Sequence, residues 1–299
     1  MSSPDTSTPP SSQNGMPYAI AAYLVWGLLP LYLRLVHDVP PAEFVGWRTL
    51  FTLPVCALII IAMRQGPALA TALTNPRVLG TLALTSVLIG ANWLTYVLAI
   101  QAGHLFAASL GYYINPLVNV LLGTVFLGER LSRAQWVAVG LAGVGVAILA
   151  AGAGQTLGIS VALAGTFAAY GLLRKLVAVA PLPGLSIEAG LLAIPAIGLV
   201  TWGHGPAGIA IGHDTGHSLL IAASGVVTAV PLLLFAHAAR RMNYSTLGFV
   251  QFLAPTIVFL LGLFLFHEPL HPVQLACFVL IWTALGVFCW DLWRRGRKG

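Results

Sequence analysis

Charge is what this chain lacks. Of its 299 residues only 7% are Asp, Glu, Lys or Arg, against roughly 25% in water-facing domains. With 58% apolar residues, that scarcity excludes an ordinary soluble domain and an intrinsically disordered chain alike. Fourteen basic residues in 299 positions are too thin to track a phosphate backbone, so no nucleic-acid partner is expected. Cysteine is scarce as well. Cys56, Cys277 and Cys289 lie in apolar runs without metal-ligand or C-x-x-C spacing and read as small core hydrophobes. Also absent are Gly-x-Ser-x-Gly, His-Glu-x-x-His, paired intramembrane aspartates and a P-loop, so neither an enzyme nor an ATP-driven pump is expected. The loop with His204, His213, Asp214 and His217 is glycine-rich and poorly preorganised for zinc. No metal and no cofactor is expected. No Lys or Arg precedes Arg34, so the first apolar run reads as a retained helix and not a cleaved signal. Residues 1–16 read as a disordered Ser/Thr/Pro-rich tail.

What remains is apolar runs of membrane-spanning length. A helix needs about 20 apolar residues to cross the hydrocarbon layer and satisfies its backbone internally. Cutting at charges and at Pro/Gly-rich breaks predicts ten spans: 18–35, 44–63, 78–100, 107–127, 135–151, 157–176, 187–202, 219–239, 247–266 and 272–290. The fold class is an all-α polytopic membrane protein. Twelve of the fourteen basic residues fall on the side of the chain termini, among them Arg174, Lys175 and the basic tail 293–299. By the positive-inside rule both termini are expected in the cytoplasm, and the chain in the cell (inner) membrane.

The two halves repeat. Pro116-Leu-Val-Asn-Val-Leu-Leu-Gly123, followed by Glu129, Leu131 and Gln135, matches Pro255-Thr-Ile-Val-Phe-Leu-Leu-Gly262, followed by Glu268, Leu270 and Gln274, at a constant offset of 139. A weaker match pairs Trp26-Gly-Leu-Leu29 with Tyr170-Gly-Leu-Leu173. Two five-helix repeats are expected, 17–152 and 153–292. Five is odd, so the second copy enters the membrane inverted, with Glu129 facing in and Glu268 out. Inverted repeats of this kind build secondary transporters, in which two pseudo-symmetric halves expose one midplane site alternately.

Polar residues within spans are costly and are the default site candidates. Tyr112, Asn115 and Asn119 share one stripe of the fourth span, and Pro116 beside them removes a backbone donor. Asn92 and Tyr96 are four apart in the third span, with Trp93 adjacent, and Tyr23, Trp26 and Pro30 share a face of the first. Tyr170 lies mid-sixth, and Gln251 precedes Pro255 by four. Together they predict a hydrogen-bonding, aromatic-walled cavity suited to neutral or amphiphilic molecules. The alternative for the asparagines is helix-to-helix bonding. Arg48 reads as snorkelling to the outer interface, with a gate or substrate role as the alternative. Glu188 reads as a solvated carboxylate at a helix N-terminus, with proton coupling as the alternative. Glu129 and Glu268 read as turn caps or local ion-pair partners. Gly140, Gly143 and Ala147 suggest close packing within the fold, or else a homodimer.

Leu88-Ile-Gly-Ala-Asn-Trp-Leu94, Ala108-Ser-Leu-Gly-Tyr-Tyr-Ile-Asn-Pro-Leu-Val-Asn119 with Leu127-Gly-Glu-Arg-Leu131, Tyr170-Gly-Leu-Leu-Arg-Lys175 and Ser245-Thr-Leu-Gly-Phe249 resemble the RarD-type branch of the EamA family, in the drug/metabolite transporter superfamily. The resemblance runs from about Met16 to Asp291. It implies ten helices in two inverted copies, no nucleotide hydrolysis and efflux of small metabolites or drug-like compounds such as amphenicols or amino-acid derivatives. One departure stands out: Gly128-Glu129 becomes His267-Glu268 in the second copy. The expected function is secondary transport by alternating access, with a small-molecule substrate and the bilayer as partners. A lipid-carrier permease or a non-transporting scaffold is the alternative. A reporter fused after Gly299 should be active only in the cytoplasm; activity confined to the other side would overturn the orientation.

Overall fold

The computed structural model describes residues 15–206, 208–267 and 272–297. Glu268 and most of the 1–16 tail therefore lie outside the described residues, and the expectations placed on them are not taken further. Within these bounds ten helices are long and apolar enough to cross a membrane. In chain order the helices are α1 (Met16–Leu35), α2 (Pro41–Ala62), a short α3 (Gly66–Thr74), α4 (Pro76–Gln101), α5 (Leu105–Phe126), α6 (Arg133–Ala150), α7 (Leu157–Leu176), α8 (Pro181–Trp202), α9 (Thr215–Arg241), α10 (Tyr244–Gln251), α11 (Leu253–Phe264) and α12 (Pro272–Gly296). Their starts are chemically marked. Asn75 accepts the Arg77 and Val78 amides at α4, Ser132 and Gln135 form a capping box at α6, and Asp214 accepts the His217 amide at α9.

Three elements differ from the sequence expectation. α8 begins at Pro181, six residues earlier than the predicted 187. Pro181-Leu-Pro-Gly reads as a break, yet proline is tolerated in a first helical turn, where its missing N–H would be an orphan anyway. The ninth span is two helices. Pro255 cannot donate to the Gln251 carbonyl and its ring crowds it, so α10 ends at Gln251 and α11 starts after Phe252. Last, the small stripe of α6 turns outward: a Cβ on Gly140 or Gly143 would meet nothing within 4 Å. The α6–α12 seam is made by Ala138, Ala142 and Gly145, facing Cys277. Packing within the fold by Gly140, Gly143 and Ala147 is thereby corrected.

The packing has a simple plan. α4, α5 and α7 form one trio, and α1, α9 and the α10–α11 pair form another, while α2 packs on α8 and α6 on α12. Exchanging each span for the one five places on turns the first trio into the second and leaves both pairs unchanged. The trios meet where α5 packs on α10 and α7 on α9. Among the described residues no comparable packing joins the counterparts, α1 to α4 or α11 to α5. The bundle is thus tight at the face that carries the termini and splayed at the far face.

The turn after α5 puts Gly128 at φ 65°, and His267, its counterpart 139 residues on, takes φ 54°. The left-handed turn is therefore kept in the second copy although the glycine is not.

At the tight face Gly248 lies against α5, where a Cβ would come 2.7 Å from the Pro116 carbonyl and 2.9 Å from the Asn119 Cβ. Gly248→Val is expected to cost about 1–3 kcal/mol through overpacking, whereas outward-facing Gly140→Ala should change stability by less than about 0.5 kcal/mol. Midpoints of unfolding in mixed detergent would check both; equal midpoints for the two variants would sink the contact's role.

Candidate functional site

The splayed face opens a cleft between α2, α4, α5 and α9. Arg48 stands in it, two turns into α2, donating from Nε to Thr228 Oγ1 of α9 at 3.1 Å. Its guanidinium lies over the Trp93 ring of α4, 4.7 Å from the centroid. Tyr96 and Tyr112 meet edge-on at 6.1 Å, and their phenols, with Tyr32, are close enough to act electrostatically on Arg48. Tyr112, two turns inside α5, is 53% exposed and turns its ring edge to Tyr96. Arg48 therefore does not snorkel to the interface as expected: the Thr228 hydroxyl and the Trp93 face hold it inward. Among the described residues it has no carboxylate within 4 Å. A partly buried cation at this depth, with no counter-ion among the described residues, gives the cleft net positive character.

Beyond Arg48 lies a small cavity lined by Thr49, Thr52, Trp93, Tyr170, Glu188 and Thr228. It offers about 10 Å³ to the centre of a water molecule, room for about one water. Thr228 and Trp93 border both the cavity and Arg48, so the two spaces adjoin through that contact.

Towards the termini the bundle is sealed. Trp26 and Tyr170 pack with Phe167 and Phe235 as an aromatic floor between the trios, at centroid separations of 5.4–6.4 Å. Below it Asn119 donates to Gln251 Oε1 at 2.7 Å and to Asn115 Oδ1 at 3.2 Å. Asn115 in turn donates to the Ala164 carbonyl at 2.7 Å, and Tyr23 to Gln251 at 3.5 Å. Asn92 bonds to Leu163 and Thr166 of α7. The predicted residues thus divide. Arg48, Trp93, Tyr96 and Tyr112 converge on the cleft and Tyr170 borders the cavity. Asn92, Asn115, Asn119, Gln251 and Tyr23 hold helices together in this conformation; Pro30 and Pro116 lie inside the unbroken α1 and α5, and only Pro255 accompanies a break, between α10 and α11.

Further cross-links lie at the sealed end, out of reach of a reading by spacing. Glu129 accepts the Tyr244 and Ser245 amides at 2.6 and 2.8 Å, capping α10 from 115 residues away. Gly123 leaves room for that carboxylate, since a Cβ there would come 2.7 Å from it. Lys175 donates to the Ala239 and Met242 carbonyls at 2.8 and 2.7 Å, satisfying the C-terminus of α9. Tyr244 donates to the Ala168 carbonyl at 2.7 Å.

Glu188 requires a correction. Because α8 starts at Pro181, Glu188 lies two turns inside it and is 1% exposed, not a solvated N-terminal carboxylate. Its Oε1 accepts from Thr85 at 2.5 Å and lies 3.7 Å from Nη1 of Arg174, itself 2% exposed, while Tyr170 donates to Oε2 at 3.4 Å. Arg174 is likewise no loop charge; it donates to the Pro181 carbonyl at 2.9 Å. The signal for this network was present: Tyr170 and Arg174 are four apart, on one face of α7.

Comparisons with known proteins agree with this architecture. Residues 13–151 match the EamA-like transporter family. The chain is 43% identical to Protein RarD of Streptomyces exfoliatus, over 96% of this chain and 91% of that protein. It is 40% identical to Protein RarD of Escherichia coli K12, over 94% and 95%, and 28% identical to the chloramphenicol-sensitive protein RarD of Pseudomonas aeruginosa, over 96% and 97%. A crystal structure at 18% identity shares the fold, with TM-score 0.73 over 93% of this chain and 97% of that one. A ten-helix membrane bundle with this kinship is a transporter, and the chain belongs to the RarD-type branch of the EamA-like transporter family.

Proposed function

We propose that this protein exports small neutral or amphiphilic molecules across the cell (inner) membrane by alternating access, with both termini in the cytoplasm. The observation that carries the reading is the asymmetry of the bundle: an aromatic cleft around Arg48 at the far face, above an aromatic floor and hydrogen-bonded seal at the terminal face. A carrier needs one gate open while the other is shut. The pairing of trios under a five-span exchange supports two inverted halves, 17–152 and 153–292, as the moving units. The seal consists of a few hydrogen bonds and ring contacts, each worth about 1 kcal/mol net, which a change of state can exchange for others.

The cleft chemistry narrows the substrate class. One guanidinium, an indole and phenols suit a molecule with a flat apolar body and a carbonyl, nitro or carboxylate acceptor. Amphenicols and aromatic amino-acid derivatives have this form, and one relative carries chloramphenicol sensitivity in its name. The orientation rests on the basic residues gathered at the terminal face.

Two measurements test the reading. In proteoliposomes given amphenicols, aromatic amino-acid derivatives and lipid carriers, Arg48→Gln should slow flux of the transported solute by at least about tenfold, some 1.4 kcal/mol. No flux for any solute would favour a scaffold. In a cysteine-free background, Tyr112→Cys should react with an impermeant maleimide from outside the cell at least about tenfold faster than Ser245→Cys, which sits in the seal. The reverse order would overturn the far-face opening.

A further inference from the structure

We infer that Glu188 is a proton-binding site that couples closure of the terminal face to the pH of the far side. The inference rests on the alternating-access reading above and adds the coupling ion to it.

The carboxylate is fully enclosed by protein except where it borders the small cavity, and that cavity adjoins the cleft through Thr228 and Trp93. A proton therefore has a short route from the far side: the cleft, one water in the cavity, then Glu188. Thr49, Thr52 and Thr228 line the way with hydroxyls. Towards the terminal face, among the described residues, Arg174 with its bond to the Pro181 carbonyl stands between Glu188 and the seal.

The groups around Glu188 define what binding would do. From α7 it faces Arg174 and Tyr170, from α4 the Thr85 hydroxyl, and from α2 the Cys56 thiol, while Arg240 of α9 lies behind Arg174 and donates to the Val179 carbonyl. α3 brings no titratable group. Arg174, its guanidinium 3.7 Å away, leaves a metal cation neither a vacant charge partner nor a set of neutral oxygen ligands beside the carboxylate. A proton differs in forming a bond to the carboxylate oxygen and removing the negative charge altogether.

Neutralising Glu188 leaves Arg174 as a buried cation. Among the described residues its Nε and Nη1 have no hydrogen-bond partner, and Nη2 donates to the Pro181 carbonyl. A buried charge without a partner is unstable unless water reaches it. Arg174 is two residues from the end of α7 at the terminal face, next to Lys175, which ties α7 to the end of α9. Hydrating Arg174 pulls on this tie, so the terminal face opens. There the proton leaves to the terminal side and the carboxylate regains its charge; substrate then binds from that side, and the ion pair re-forms as the loaded carrier closes that face. One proton moves inwards during the return of the empty carrier, and substrate moves outwards in the other half of the cycle. The fold reserves space for the pair: a Cβ at Gly184 would collide with the Arg174 guanidinium.

The test uses the full chain in inside-out membrane vesicles, cysteine-free except for Ser245→Cys, whose native hydroxyl is buried and unpartnered in the seal. An impermeant maleimide reports opening from the terminal side as the vesicle lumen, which is the far side, is taken from about pH 8 to about pH 5.5. Labelling should rise at least about tenfold as luminal pH falls. Glu188→Gln, which mimics the protonated form, should label rapidly at both extremes. Thr85→Val keeps the carboxylate but removes the hydrogen bond that favours its charged form, so the midpoint should move to higher pH by about one unit; this variant serves where Glu188→Gln fails to fold. Tyr112→Cys in place of Ser245→Cys, labelled from outside intact cells, reports a native far-face cleft in each background. A pH-dependent rise that Glu188→Gln leaves intact overturns the proton site alone, as does the same rise produced by sodium at constant pH. Protection of Ser245→Cys at every pH and with every solute of the flux panel overturns alternating access, and the inference with it.

Discussion

A polar group inside hydrocarbon must find a partner within the protein, at a cost of several kcal/mol if it fails. This constraint gives the bundle its organisation. Helices satisfy their own backbones, so the polar side chains within spans become the joints at which helices are tied. Asn119, Gln251 and Asn115 are bonded to one another and to the Ala164 carbonyl, because no water reaches them. Where helix ends leave orphan groups, charged side chains from distant segments supply the caps: Glu129 for α10 and Lys175 for α9. Each such cap joins one trio to the other. A conformational change must therefore open several polar joints together, which favours two discrete states over a continuum.

Two polar groups stand apart. Arg48 is partly buried and, among the described residues, has no carboxylate beside it, whereas Glu188 is enclosed with the Arg174 cation opposite. They occupy corresponding places, each the eighth residue of a 22-residue helix that begins with proline. α2 and α8 run in opposite directions and pack on each other, so the pair lies on either side of the midplane with the small cavity between. One end of the molecule's core is thus lined by a cation held by a hydroxyl and an indole ring, the other by an ion pair facing protein.

Much of this was legible in the sequence, and what was not has physical reasons. Ten spans follow from hydropathy because lipid leaves helices few alternatives. The misplaced start of α8 came from treating proline as a breaker at any position, and that error carried Glu188 from the interior to the surface. Spacing on one helix can group Tyr112, Asn115 and Asn119, but it cannot say that Tyr112 faces an opening while Asn119 faces Gln251. That division depends on the relative tilt of the trios, which is a property of one conformational state. The long-range caps were invisible for the same reason: Glu129 and Tyr244 become neighbours only when the trios meet.

The turn at His267 gives the repeat a thermodynamic meaning. Two identical halves arranged in inverse would make the outward and inward states equivalent by a two-fold rotation in the membrane plane, of equal energy and each populated half the time. Gly128 holds its left-handed φ without penalty, whereas a histidine at φ 54° pays roughly 1–2 kcal/mol. A difference of about 1.4 kcal/mol between states is a tenfold bias in population. On the proposed alternating-access cycle, a position where the halves diverge, this turn included, weights the balance between states if its strain is relieved in one of them.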